Sequence, residues 1–528
     1  MTDVLQDNEV PSPSFRMGKH AALQITVACA AIVVVACHKS PVQPCPTARV
    51  ASPVSRLAAP SSSPFDSIFR SAAAEFQVPP ALLASVGWVE TRWQMVRGAE
   101  EFPGRPAAFG VMGLRGSALE RGASLAGVGL DAARHDPVAN IRAAAALLAA
   151  YAAEAGGDWN VATARFSEID LPAGRGAYVA AVAETQSPPQ PALAPTVAPA
   201  ACPPPDTTVG PDFPSAIWRP SPNFDERAAD STGVPHMVII HTCESNYPSC
   251  WSWLDNPASQ VSAHYVVNED GSEISQLVRE PNRAWHIAAL YDCMLNRRHA
   301  CWLDSVQSNH FTVGIEHAGF ASQDSFPQAL LERSAALVCD ITRDRAIPRD
   351  WQHIVGHGQL QPANRTDPGP NWPWIAYVHR VQALCGELVV DDSSQFNAPS
   401  DARVVVPTGW QATDSTPDYY GGGYHWASTN PTATDGVEFS FYVAASDART
   451  LDARWTSGTN RSPQATYVLI TSTGDTLQIA PVDQRIGGGA WHALGTWTLP
   501  VGWNKVVLLR RGVMGSVVVA DGLRVRHT

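Results

Sequence analysis

Val238-Ile239-Ile240-His241-Thr242 reads as a short apolar strand that ends on a histidine. Val261-Ser262-Ala263-His264-Tyr265-Val266-Val267 reads as a second strand, running into Asn268-Glu269-Asp270-Gly271. That Asn/Asp/Gly cluster is a turn signal of hairpin character, and Ile274-Ser275-Gln276-Leu277-Val278 returns from it. Phe311-Thr312-Val313-Gly314-Ile315-Glu316 is a further strand, and residues 327–344 carry helical periodicity. Strands interleaved with helices predict an α/β unit over residues 216–390, built around a central mixed sheet.

The chemistry clusters where these strands stop. A zinc hydrolase needs three protein ligands and one open position for water. His241 closes one strand, and His357 follows Ile354-Val355-Gly356 at another strand-like end. Asp367 lies further on, in Arg365-Thr366-Asp367-Pro368-Gly369-Pro370, behind a loop long enough to bring both side chains to one metal. The glycine and prolines there restrict the backbone around the carboxylate. Taken singly, a loop histidine is more often a hydrogen-bonding residue than a ligand.

Taken together, Ile239-Ile240-His241-Thr242, Ser262-Ala263-His264-Tyr265, Ala284-Trp285-His286, Gly314-Ile315-Glu316, Gly356-His357 and Arg365 to Pro370 resemble the type-2 N-acetylmuramoyl-L-alanine amidases, whose superfamily includes the peptidoglycan recognition proteins. The resemblance implies that His241, His357 and Asp367 ligate Zn2+ and that Glu316 is the general acid/base. It also implies that Arg365, where the family usually carries lysine, faces the developing oxyanion. The implied substrate is the amide between N-acetylmuramic acid and the L-alanine of the stem peptide. The assignments agree with the chemistry: zinc lowers the pKa of water to about 7, a carboxylate moves the proton, and a guanidinium meets the negative charge. Arginine keeps lysine's charge but changes its hydrogen-bond geometry. His264 and His286 are weaker candidates that bond to backbone or substrate, and His317 and His353 read as structural. A non-catalytic peptidoglycan receptor is the alternative from another class.

Six of the ten cysteines fall between Cys243 and Cys385, which suggests an oxidising compartment. Six cysteines allow fifteen pairings. Proximity favours Cys243–Cys250, Cys293–Cys301 and Cys339–Cys385, with Cys243 as a fourth ligand the competing reading.

Upstream, residues 63–186 are alanine-rich and helical. Ile68, Phe69, Ala72, Ala73 and Phe76 recur at helical spacing behind Asp66, Pro79-Pro80 opens a second helix, and Asp136-Pro137 starts another. On the second helix Leu83, Val86 and Glu90 share a face, so Glu90 stands in an apolar stripe. Desolvation there favours its neutral form, the state a general acid for a glycosidic oxygen needs. Glu90-Thr91-Arg92-Trp93 and Phe109-Gly110-Val111-Met112-Gly113-Leu114 resemble the Glu-Ser/Thr and Gly-Leu-Met-Gln segments of lytic transglycosylases, with Gly113 where glutamine is usual. Ala164-Arg165-Phe166-Ser167 replaces a further motif, and Tyr178 matches a late tyrosine. The resemblance implies an all-α lysozyme-like domain that holds glycan, or cuts it through Glu90. A lytic transglycosylase as the main activity is thus a second alternative.

Downstream, residues 402–528 read as an all-β sandwich of jelly-roll type. Val437, Phe439, Phe441 and Val443 alternate on one face of a strand. The segments Tyr419 to Trp426, Trp455, Gly488-Gly489-Ala490-Trp491 and Ala520-Asp521-Gly522 resemble the golvesin carboxyl-terminal domain, which implies a cell-wall-binding module. Its aromatic side chains either stack on sugars or fill the core.

The chain of 528 residues suits roughly three domains. Hydrophobic residues at 45% and charged ones at 16% exclude bulk disorder. Lys and Arg total 37 against 49 Asp and Glu, a net −12 with no basic block, so nucleic acid is excluded as a partner. At the amino end, residues 21–36 form an apolar stretch behind Arg16, Lys19 and His20, shorter than the roughly twenty residues of a membrane span. Val34-Val35-Ala36-Cys37 resembles the lipobox of bacterial lipoproteins. Residues 1–37 are therefore expected to be a signal peptide with a lipid anchor at Cys37. That anchor places the protein in the cell envelope, on the outer membrane facing the periplasm or exported. The acidic residues Asp3, Asp7 and Glu9 make Met17 an alternative start. Residues 38–62 read as a tether, 187–215 as a linker with eight prolines in 187–205, and 391–401 as a polar linker.

Overall fold

The computed structural model describes residues 62–186 and 211–528. The expected signal peptide, Cys37, residues 38–61 of the tether and residues 187–210 of the Pro-rich linker lie outside the described residues. Among the described residues no helix is long and apolar enough to cross a membrane.

Seven helices make the first unit: α1 (Asp66–Phe76), α2 (Pro80–Thr91), α3 (Gly116–Ala126), α4 (Leu130–His135), α5 (Pro137–Glu154), α6 (Trp159–Phe166) and α7 (Pro172–Gln186). Pro80 takes the first position of α2, where its missing N–H costs nothing. The Asp136 side chain caps α5 by accepting from Ala139 N at 2.8 Å. Small residues let α3 and α5 approach closely, and the apolar stripes of α1, α2 and α5 close a core around Phe69, Leu83, Met112 and Leu147. Between α2 and α3 lie three antiparallel strands, β1 (Val96–Arg97), β2 (Ala108–Gly110) and β3 (Leu114–Arg115). The expected all-α unit is corrected accordingly: strands of two or three residues leave no alternation to read.

The second unit is an α/β domain around a six-stranded mixed sheet. Its strands are β4 (Ile217–Trp218), β5 (Met237–Thr242), β6 (Tyr265–Val267), β7 (Ile274–Gln276), β8 (Thr312–His317) and β9 (Ile354–Gly356), in the order β9-β5-β8-β6-β7-β4. β9, β5, β8 and β6 run parallel, whereas β6 and β7 form the antiparallel hairpin around residues 268–273. β5 and β8 are buried along their whole length, as a sheet covered on both faces requires. Val238, Ile240, Val313 and Ile315 face the helices α9 (Gln328–Asp344) and α10 (Trp374–Leu384). Met237 and Ile239 face Ile287, Tyr291 and Leu303. The disulfide Cys339–Cys385 joins α9 to the end of α10, and Cys243–Cys250 ties β5 to α8 (Tyr247–Asp255). With Cys293–Cys301, all three proximity pairs form. The disulfide occupies Cys243, so its reading as a fourth ligand is corrected.

The third unit is β-rich. Four- and five-stranded sheets pack over a shared core of Phe439, Phe441, Leu451, Trp455, Leu508 and Val525. Trp455 belongs to that packing and Tyr420 is buried with Trp351, Val378 and Val389, so neither is a surface platform. The segment β10 (Glu387–Asp391) pairs antiparallel with the final strand Gly522–His527. This moves the boundary: residues 387–390 leave the α/β unit, and 391–401 is folded structure, with Asp391 and Asp392 buried. Its polar, turn-rich composition mimics a linker, while its partner lies more than a hundred residues away.

Candidate metal centre

The register of the parallel strands assembles the site. Glu316 of β8 stands opposite His241 of β5, and Gly356 of β9 stands opposite Ile240, so His357 follows at the same carboxyl edge. In open parallel sheets that edge is where ligands bind. Asp367 arrives on the loop after His357 and is held by Gly358 N–H donating to its carbonyl at 2.9 Å.

His241 Nδ1 lies 3.0 Å from His357 Nδ1 and 3.2 Å from Asp367 Oδ2, and His357 Nδ1 lies 3.3 Å from that same oxygen. Ligands at zinc distances of about 2.0–2.1 Å in a tetrahedron stand roughly 3.3 Å apart. His241 and Glu316 have no exposed surface, and His357 and Asp367 are each 2% exposed.

Neighbours fix the protons. Thr312 Oγ1 donates to Ser308 O at 2.7 Å and therefore accepts from His286 Nε2 at 3.1 Å. His286 Nδ1, left without a proton, accepts from His241 Nε2 at 2.9 Å, so His241 Nδ1 carries a lone pair. Likewise Gln361 donates its amide to Asn364, leaving its oxygen to accept from His357 Nε2 at 3.2 Å. In the neutral ring, His357 Nδ1 is then bare as well. Gly314 makes room for this relay: a Cβ there would fall 2.4 Å from the His286 ring. Two imidazole lone pairs and a carboxylate facing one point repel one another unless a cation lies between them. This donor set suits zinc.

Without a metal ion, a proton held on His357 serves as that cation. Burial, together with His357, pushes His241 down to about 4. Burial opposes charge on His357, but the Asp367 and Glu101 carboxylates override it and raise it to about 10. Burial, Glu101 and Asp367 raise Glu316 well above the carboxylate range. Both Glu316 oxygens lack a hydrogen-bond partner, and Oε1 sits 4.0 Å from His241 Nδ1.

Residues 231–370 match the N-acetylmuramoyl-L-alanine amidase model, and 396–527 match that of the golvesin C-terminal domain. Over 188 residues the chain is 32% identical to N-acetylmuramoyl-L-alanine amidase A of Achromobacter lyticus, covering 32% of this chain and 95% of that protein. The chain belongs to the N-acetylmuramoyl-L-alanine amidases. It is also 31% identical over 180 residues to the 1,6-anhydro-N-acetylmuramyl-L-alanine amidase AmpD of Citrobacter freundii, covering 30% of this chain and 86% of that one. A crystal structure of an AmpD derivative is 26% identical, covers 33% of this chain and 95% of its own, and superposes with a TM-score of 0.26.

In this amidase the sequence-expected His241, His357, Asp367 and Glu316 converge, whereas Arg365 does not point at an open cleft. Its Nη2 donates to Glu101 O at 2.9 Å and its Nη1 to Glu100 O at 3.3 Å. Glu90 sits in the helical unit, 6% exposed, accepting from Tyr178 OH at 2.5 Å and from Asn246 Nδ2 at 3.0 Å. Burial raises it to about 7. His264 is structural, its Nδ1 accepting from Gly314 N at 3.0 Å. His317 lies on the sheet's other face, bonded to Ser334 Oγ at 2.6 Å. Two contributors escaped the sequence reading. The orienting part of His286 depends on Thr312, which carries no motif of its own. Glu101 meets a histidine 256 positions away, across a unit boundary.

Proposed function

We propose that this amidase is a zinc-dependent peptidoglycan hydrolase that cleaves the amide between N-acetylmuramic acid and the L-alanine of the stem peptide. The observation that carries the proposal is the convergence of two imidazole nitrogens and the Asp367 carboxylate beside a buried glutamate whose oxygens lack a hydrogen-bond partner. His241, His357 and Asp367 would hold the ion, which when bound supplies a Lewis acid that acidifies water and polarises a carbonyl. The Glu316 carboxylate, standing among these ligands, takes a proton from the attacking water and delivers it to the departing alanine nitrogen. Arg365, once free of its present carbonyl partners, carries the fixed positive charge that stabilises the oxyanion.

The helical unit is read as a lytic-transglycosylase-like, glycan-holding domain, and the golvesin domain as a wall-binding module. The lipobox-like run at Cys37 supports a lipid anchor in the envelope. Glycan cleavage by Glu90 is the second reading. It is favoured by a buried carboxyl raised to about 7, as a general acid requires.

Mass spectrometry of digested sacculi tests both readings. Wild type should release free stem peptides, Glu316→Ala should release at least about a hundredfold less, and chelation should stop release until zinc is restored. Intact glycan–peptide bonds under these conditions sink the amidase reading. Products ending in 1,6-anhydro sugars that vanish in Glu90→Gln support the second reading, and their absence from wild type removes it.

A further inference from the structure

The helical unit reaches into the amidase site. Its segment from Gly98 to Gly104 leaves β1 and inserts Glu101, 5% exposed, so that Oε1 lies 3.1 Å from His357 Nδ1. Glu101, His241, His357 and Asp367 each bring one donor atom into a single cluster within 4.8 Å of one another. The contact is braced on both sides. Ala99 N–H donates to Glu244 Oε2 at 3.0 Å, while Ala321 N–H holds the other oxygen of Glu244 at 2.7 Å. Phe102 packs with Tyr247 and Trp251 of the α/β unit. Arg365 grips the carbonyls of Glu100 and Glu101, and its Nε stands 3.7 Å from the Glu101 carboxylate.

One segment thus meets both groups that the hydrolysis needs. Its carboxylate joins the donor atoms that would hold the ion, and its backbone oxygens engage the guanidinium that would meet the oxyanion. The occlusion is mutual, because Asn246 at the start of α8 donates to Glu90 in the helical unit.

We propose that Glu101 is a fourth metal ligand supplied by the helical unit, and that residues 98–104 form a plug holding the amidase closed until the helical unit is drawn off. The inference rests on the zinc amidase reading. A carboxylate ligand adds charge and a bond to the ion, so the closed chain retains metal more tightly while excluding water and substrate from it. Glycan entering beside Glu90 must displace Asn246, and that displacement loosens the interface that seats the plug.

The test uses the full chain loaded with zinc. Chelator competition reads metal affinity, and turnover of a soluble muramyl-peptide, too short to engage the helical unit, reads opening. Glu101→Gln and Glu101→Asp should each release zinc at least about tenfold more readily and turn over the soluble substrate about tenfold faster or more. A second pair guards against a folding defect in these variants. Arg97 N and Ser322 Oγ are 3.2 Å apart across the interface, so Arg97→Cys with Ser322→Cys should tether the plug. The tethered chain should keep its zinc but lose hydrolysis of sacculi relative to either single variant. Equal zinc retention and equal turnover in wild type and Glu101→Gln overturn the plug, as does a tethered chain that digests sacculi at the rate of the single variants. A wild-type chain that binds no zinc and releases no stem peptide overturns the amidase reading itself, a separate result.

Discussion

At the scale of single residues, the centre depends on where hydrogens sit. Thr312 has one acceptor for its hydroxyl hydrogen, Ser308 O, and that choice passes through His286 to His241. Thr312→Val removes the acceptor for His286 Nε2. The ring can then carry its proton on Nδ1, which turns His241 around and places a hydrogen on the nitrogen that faces the metal. Zinc affinity, measured by chelator competition, should fall about 10- to 100-fold while the fold survives. Unchanged affinity would mean that the relay does not set the ligand's protonation. Glu90 offers a pH test. Its folded value of about 7 lies above the ordinary 4.5, so the folded state holds this proton more tightly than the unfolded chain does. The stabilisation is therefore complete below about pH 4.5 and is lost as pH rises through about 7, amounting to about 3 kcal/mol. Comparing the thermal midpoints of wild type and Glu90→Gln at pH 5 and pH 8 isolates this contribution. The wild type should lose more on alkalinisation than the variant, and parallel curves would contradict the buried, raised carboxyl.

At the scale of elements, stability and legibility have the same root, the distance in sequence between partners. The Cys339–Cys385 bridge closes 46 residues between α9 and α10. Chain-entropy arguments give about 4 kcal/mol for a loop of that length. Replacing both cysteines by alanine should lower the denaturant midpoint accordingly, whereas the seven-residue Cys243–Cys250 loop should matter less. A larger loss at the shorter loop would reverse the argument. What could be read from the sequence was local: apolar runs that end on His241 and Glu316, the turn at 268–271, helix starts at prolines, and cysteines near one another. Both parallel strands appear where the pattern put them, and the hairpin forms at its turn, with its strands shortened from 261–267 and 274–278 to Tyr265–Val267 and Ile274–Gln276. What stayed hidden was non-local or too short to repeat. β10 reads as divided between the α/β unit and a linker because its partner is the last strand of the chain. The three strands of the helical unit span two or three residues each, fewer than a period-2 signal needs.

At the scale of the whole molecule, the two junctions of the α/β unit differ in kind. The golvesin domain is fastened to the α/β unit by structural contacts: Arg454 to Asp350 at 3.4 Å, Gln352 to Tyr419 O at 3.0 Å, and Gln382 to Tyr420 OH at 2.7 Å. The helical unit meets it through structural contacts too, such as Arg92 to Glu269 at 3.4 Å, but also through Glu90, Glu101, Asn246 and Arg365, residues of the two candidate sites. A metal bound by side chains from both units welds them, so its free energy of binding is shared between them. Zinc at a hundred times its dissociation constant should add about 2.7 kcal/mol to the folded state. Hydrogen exchange should show where that stabilisation goes. In wild type, zinc should slow exchange at the Ala99 amide and along 98–104 as well as at 237–242 and 354–358. In Glu101→Gln the protection of the α/β strands should persist, while the segment 98–104 no longer responds to the metal. If zinc protects 98–104 equally in both proteins, the units are coupled by their packing alone, and Glu101 carries no share of the metal's binding energy.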